Sequence, residues 1–130
     1  MLNKFRFIAG DRIGFERDLE NVLKENPTLV RCGFQVKDKD FGTQEQLLNS
    51  LNEFKLCCNW LKDKKVTKKQ TVDSYYLKHV VEKDVETYIS NGIFICSVIY
   101  MDIPYKKHLH SPNITVALSR KEFDKCQNIY

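Results

Sequence analysis

Ten residues of this sequence are suited to meeting nucleic acid. Lys64, Lys65, Lys68 and Lys69 form a basic run, Tyr75, Lys78 and His79 follow in a helical pattern, and Lys106, Lys107 and His108 lie in an extended segment. Ammonium groups contact phosphates and release their counterions, and a tyrosine face stacks on an unpaired base. The plainer alternative for the same residues is a solvated lysine linker beside half-buried core tyrosines.

Two smaller constellations carry other chemistry. His79 and Glu82 are three apart, which places them on one helix face, where the carboxylate would orient the imidazole as a general base. A nuclease or hydrolase needs further acids or a nucleophile, so a surface His–Glu pair is the simpler expectation. His108 and His110 are two apart, and on a strand they would point the same way as a metal pair. Adjacent Cys57 and Cys58 could hold a soft metal, but no second ligand pair has zinc-like spacing. The chain contains no Gly-rich phosphate loop, no G-x-S-x-G, no H-E-x-x-H and no C-x-x-C. The expectation is a protein without catalytic residues, cofactor or metal.

Composition sets the frame for these residues. At 130 residues, with 42% hydrophobic and 29% charged residues, the chain reads as a single globular domain. Net charge is +4, which permits an acidic partner such as RNA or DNA. The segment Lys62 to Lys69 (KDKKVTKK) sets five lysines against one aspartate, so it alone accounts for +4. Five cysteines, Cys32, Cys57, Cys58, Cys96 and Cys126, are an odd number without paired spacing, which points to reduced thiols and a cytoplasmic setting. Lys4 and Arg6 interrupt any signal-peptide core, and the longest apolar run, Ile93 to Met101, is about half a membrane span. A soluble protein is expected.

The elements that must position the candidate residues follow from periodicity. Residues 4–9 (KFRFIA) suggest a short strand. Phe15 to Glu25 is amphipathic, with Phe15, Leu19, Val22 and Leu23 on one face, and it stops at Asn26-Pro27. Leu29 to Val36 has strand composition weakened by Gly33, and residues 37–42 form a polar turn. Thr43 and Gln46 make a capping box for a helix running through Leu47, Leu51, Phe54, Cys58 and Leu61, with Trp60 near its end.

Residues 62–70 then read as a basic connector between halves 1–61 and 71–130. A third helix spans Ser74 to Val85, capped by Thr71 or Asp73, with Leu77, Val80, Val81 and Tyr88 facing inward. Ser90 caps a fourth helix, apolar nearly all round from Ile93 to Met101 and therefore central, which Pro104 prevents from extending. Tyr105 to Leu109 and Ile114 to Leu118 form a hairpin about a turn at His110 to Asn113. Ser119 and Glu122 box a short last helix with Phe123 and Cys126 inward.

The fold class is thus α+β, with four to five helices and short antiparallel strands. Its C-terminal helix-turn-helix plus hairpin has the connectivity of a winged helix. A recognition helix needs a polar face for the groove, and Ile93 to Met101 offers almost none.

The block SYYLKH at Ser74 to His79, followed by YISNGIF at Tyr88 to Phe94 and SPN at Ser111 to Asn113, resembles one in small uncharacterised proteins of phages, plasmids and other mobile elements. The resemblance spans about a third of the chain and none of the N-terminal half. Tyr76 stands where that block often has Gly, and the resemblance transfers no functional residues. What it implies is context, that of inhibitors of host defence such as anti-CRISPR proteins, and small regulators. The function expected first is a non-enzymatic inhibitor that binds a host CRISPR effector, its guide RNA or another nucleoprotein through a basic surface. The alternatives are a winged-helix-like DNA-binding regulator and a nucleic-acid-processing enzyme using His79 and Glu82.

Overall fold

A computed structural model describes residues 16–121 and 123. Helix α1 (Glu16–Glu25) is followed by β1 (Leu29–Val30) and β2 (Gly33–Phe34), then α2 (Gln44–Leu48) and α3 (Leu51–Leu61). The second part holds β3 (Val72–Asp73), α4 (Ser74–Val85), α5 (Asn91–Tyr100), β4 (Tyr105–Lys107) and β5 (Ile114–Val116). The architecture is α+β, with five helices and two small antiparallel sheets among the described residues. The strand expected at residues 4–9, Phe15, Glu122 of the second capping box and Cys126 lie outside the described residues.

Helix α5 is the centre. Its residues Asn91 to Val98 are all buried, and it packs against α1, α3, α4 and β2. A helix apolar on every side must be covered on every side, which the run Ile93 to Met101 required. Fully buried Phe54, Leu61, Leu77, Phe94 and Ile95 belong to one hydrophobic cluster that joins both halves of the chain. Burying each such side chain stabilises by about 1.5–3 kcal/mol. Cys57, Cys58 and Cys96 act as small hydrophobes in the same cluster. No helix among the described residues is long and apolar enough to cross a membrane.

Several local expectations hold. Thr43 Oγ1 accepts from Gln46 N and Gln46 Oε1 accepts from Thr43 N, closing the capping box. Ser90 Oγ caps α5 by accepting from Ile93 N at 3.1 Å. Of the two residues proposed to cap α4, Asp73 does so, accepting from Tyr75 N at 2.9 Å.

Others need correction. The single helix expected from Thr43 through Leu61 is broken between Leu48 and Leu51. Asn49 and Ser50 leave helical geometry there, and Ser50 Oγ donates back to Gln46 O at 3.0 Å, the local bonding by which a hydroxyl competes with a helix. The strand expected at Leu29 to Val36 is a tight hairpin, with Val30 paired to Gly33. Gly33 adopts φ +125°, and a Cβ on it would lie 2.3 Å from Pro112 O, so only glycine fits. Tyr88, expected inside, is 56% exposed.

Strand β3 was not expected at all. It pairs with β5, giving a sheet ordered β3-β5-β4 with Val72 and Tyr105 both opposite Val116. The basic connector is tied to the same sheet, since Thr67 N donates to Ala117 O and Val66 bridges to Leu118.

Candidate functional site

The 3.6-residue period of α4 places Tyr75, Lys78, His79 and Glu82 on one face. At its C-terminus Glu86 adopts φ 54°, ending the helix and turning the chain back toward that face. The returning segment brings Tyr88 over Lys78. The turn between β1 and β2 brings Arg31 and Cys32 to the other side. Together with Asn91 these residues line a cleft of about 440 Å³.

Lys78 is the pivot of the cleft. Its side chain is only 6% exposed, and its Nζ lies 3.1 Å from Glu82 Oε2. The same ammonium lies 5.3 Å from the Tyr75 ring centroid and 4.9 Å from that of Tyr88. Both rings stay open to solvent, Tyr75 at 52% and Tyr88 at 56% exposure. A buried charge needs a partner and further hydrogen bonds. Here the carboxylate supplies the partner and the two ring faces supply cation–π attraction.

Glu82 serves three groups. Besides Lys78, its Oε2 accepts from Ile89 N at 3.0 Å, and its Oε1 lies 2.9 Å from His79 Nδ1. Burial opposes its ionisation, but the hydrogen bonds from Ile89, Lys78 and His79 outweigh that and hold the carboxyl below the usual glutamate range. His79 is thereby oriented, its ring edge-on to Tyr75 at 4.7 Å. The expected His79–Glu82 pair exists, yet the carboxylate is shared with a cation and a backbone amide.

The far wall is fixed by glycine and amide contacts. Gly92 N donates to Arg31 O at 2.8 Å, an approach so close that a Cβ on Gly92 would sit 2.0 Å from Val30 O. Asn91 Nδ2 donates to Cys32 O at 2.9 Å and to Asn113 Oδ1 at 2.8 Å, while Asn91 Oδ1 is buried without a hydrogen-bond partner among the described residues. Arg31 Nη2 donates to Tyr88 Oη at 3.1 Å. The guanidinium has five N–H donors, so this bond leaves others for an incoming anion.

The remaining sequence candidates divide by environment. Lys64 lies on Trp60, with Nζ 4.2 Å from the ring centroid, 3.0 Å from Trp60 O and 3.6 Å from Asp63. Lys107 Nζ sits 4.2 Å from the Phe34 ring centroid. Lys65, Lys68, Lys69 and Lys106 are exposed, and their ammonium groups make no ion pair among the described residues. Lys106 stands on edge strand β4, opposite Thr115.

His108 Nε2 bonds Thr115 Oγ1 at 2.9 Å. The same-side argument for His108 and His110 fails because β4 ends at Lys107 and His110 turns to φ 67°. Both instead line a second cleft of about 380 Å³, with Phe34, Lys37 and Lys107. Among the described residues, no group of three or more His, Cys, Asp or Glu could hold a metal ion.

Sequence reasoning missed Arg31, Cys32 and Asn91 and set Tyr88 inside. Arg31 and Tyr88 are 57 positions apart, and no local pattern links them. The one available signal was Gly92 beside the Ser90 cap, which marks a helix end approached closely by another backbone. No family model, no curated protein and no solved structure matches the chain.

Proposed function

We propose that the protein is a non-enzymatic inhibitor that engages the nucleic acid of a host nucleoprotein, such as the guide RNA of a CRISPR effector. The observation that carries this reading is the convergence of Tyr75, Tyr88, Lys78 and Arg31 in one cleft, with two exposed rings fixed beside cationic groups. Stacking on exposed rings and attraction to phosphate are the two terms by which proteins hold single strands. Exposed Lys65, Lys68, Lys69 and Lys106 add sequence-independent phosphate contacts. The inhibitory role comes from the resemblance to mobile-element proteins, and the cytoplasmic setting from the odd set of cysteines without paired spacing.

A winged-helix-like DNA-binding regulator is the second reading. The order α3-β3-α4-α5-β4-β5 with a β3-β5-β4 sheet favours it, because a winged helix is wired in this way. Against groove binding stands α5, the helix at the recognition position, which is buried from Asn91 to Val98. The His79–Glu82 contact favours a nucleic-acid-processing enzyme as a third reading.

The test is binding of the purified protein to a guide-loaded effector, to the free guide and to duplex DNA. The inhibitor reading expects tight binding to the loaded effector, weak binding to the duplex, and loss of affinity when Lys65, Lys68, Lys69 and Lys106 become Glu. Binding of one duplex sequence above all others would instead establish the regulator. Turnover of nucleic acid that disappears in His79→Ala would establish the enzyme.

A further inference from the structure

We infer that the cleft between α4 and the β1–β2 turn is a site for one unpaired nucleotide, with the base stacked on the exposed tyrosine rings and its phosphate on Arg31. This deepens the nucleic-acid reading above and rests on it.

The charge arithmetic comes first. Leaving His79 aside, Arg31 and Lys78 contribute two positive charges and Glu82 one negative, a sum of +1. A phosphodiester carries one negative charge per nucleotide. The surplus belongs to Arg31, because Lys78 is already neutralised by Glu82 at 3.1 Å. Lys78 is therefore a positioning residue: it lies against Tyr75 and Tyr88 and fixes where the rings stand. Arg31 is the cation left with donors to spare.

The rings are held in place before any ligand arrives. Tyr88 is bonded through its hydroxyl to Arg31, and its ring lies 4.9 Å from the Lys78 ammonium. Tyr75 is held by Lys78 and by the edge contact with His79 at 4.7 Å. Side chains ordered in advance lose little further entropy on binding. The cleft, at about 440 Å³, falls within the roughly 300–1,000 Å³ typical of small-ligand sites.

Duplex bases are covered on both faces by their neighbours, so stacking on a protein ring requires an unpaired base. Specificity for strandedness follows from this geometry without any base-edge reading.

The experiment uses the full chain and a fluorescent oligonucleotide of about ten unpaired nucleotides, beside a hairpin duplex of matched charge. Wild type is compared with Tyr88→Ala, Tyr88→Phe, Arg31→Gln and the quadruple Lys65, Lys68, Lys69 and Lys106→Glu variant, each first shown to be folded by circular dichroism. The inference expects the single strand to bind better than the duplex, and Tyr88→Ala and Arg31→Gln each to lose about tenfold or more in affinity. Tyr88→Phe keeps the ring and should retain most of the stacking. Single-strand binding untouched by Tyr88→Ala and Arg31→Gln, but lost in the lysine variant, overturns the cleft site and leaves the basic surface standing. Preference for the duplex overturns the cleft site as well. Binding of neither form overturns the cleft site and the nucleic-acid reading together.

Discussion

Lys78 and Glu82, one turn apart on α4, form an ion pair of 3.1 Å whose cation is buried against the rings of Tyr75 and Tyr88. The pair ties together the helix, the returning segment at Ile89 and the aromatic wall of the cleft. Removing one partner leaves the other charge buried and uncompensated. Glu82→Ala is expected to cost about 3 kcal/mol of stability, and the charge-free double variant Lys78→Met/Glu82→Gln clearly less. Urea denaturation of the three proteins checks this; equal losses in single and double variants would contradict the role given to the pair.

The acid side of the stability curve should report the same carboxylate. Glu82 is held below the ordinary glutamate value of 4.5, so in that range the unfolded chain binds the proton more readily than the native one. Its contribution is therefore present in full above pH 4.5 and is lost as pH falls through the lowered native value. Glu82→Gln should flatten the decline of stability below pH 4.5, measured by urea midpoints at several acid pH values. Parallel curves for wild type and variant would show that another group drives the decline.

Gly92→Ala tests the joint between α5 and the β1–β2 turn. The added Cβ would lie 2.0 Å from Val30 O and 2.7 Å from Arg31 O, both backbone atoms that cannot swing aside. A loss of about 2–3 kcal/mol is expected, as for overpacked core sites, together with loss of the Gly92 N–Arg31 O bond. Thermal unfolding measures it, and a variant as stable as wild type would show that the turn can move away.

Thiol chemistry gives a further structural check. Burial pushes the Cys57 and Cys96 thiols far above their ordinary range, and Cys58 is buried beside them, whereas Cys32 is partly exposed at the cleft. In a Cys126→Ser background, iodoacetamide under native conditions should modify Cys32 first and the other three only on unfolding. Peptide mass spectrometry reads the order. Early modification of Cys57 or Cys96 would mean that the α3–α5 interface opens readily.

Salt dependence separates the two classes of lysine. Lys65, Lys68, Lys69 and Lys106 are exposed and make no ion pair among the described residues, so replacing them together by Glu should remove most of the fall in nucleic-acid affinity between about 50 and 200 mM salt, leaving the part that Arg31 contributes. Lys78→Met should leave that salt slope nearly unchanged while lowering affinity through the displaced rings. Titrations at several salt concentrations distinguish them, and an equal change of slope in both variants would mean that Lys78 touches phosphate directly.

What the sequence determined by itself was local. The Thr43–Gln46 box, the Ser90 cap and the face bearing Tyr75, Lys78, His79 and Glu82 follow from spacings of a few residues, which a helix converts directly into geometry. The buried post Ile93 to Met101 was legible because no polar side exists to face water. The break at Asn49 and Ser50 was hidden, since a side chain bonding back to its own helix is only one of several states those residues allow. The tertiary structure alone decided the cleft. Arg31 meets Tyr88 across 57 positions, Lys78 is turned from a phosphate candidate into a buried support, and Tyr88 is lifted from the expected core to the surface. Such pairings depend on how separate elements pack on α5, and no period within one element encodes them.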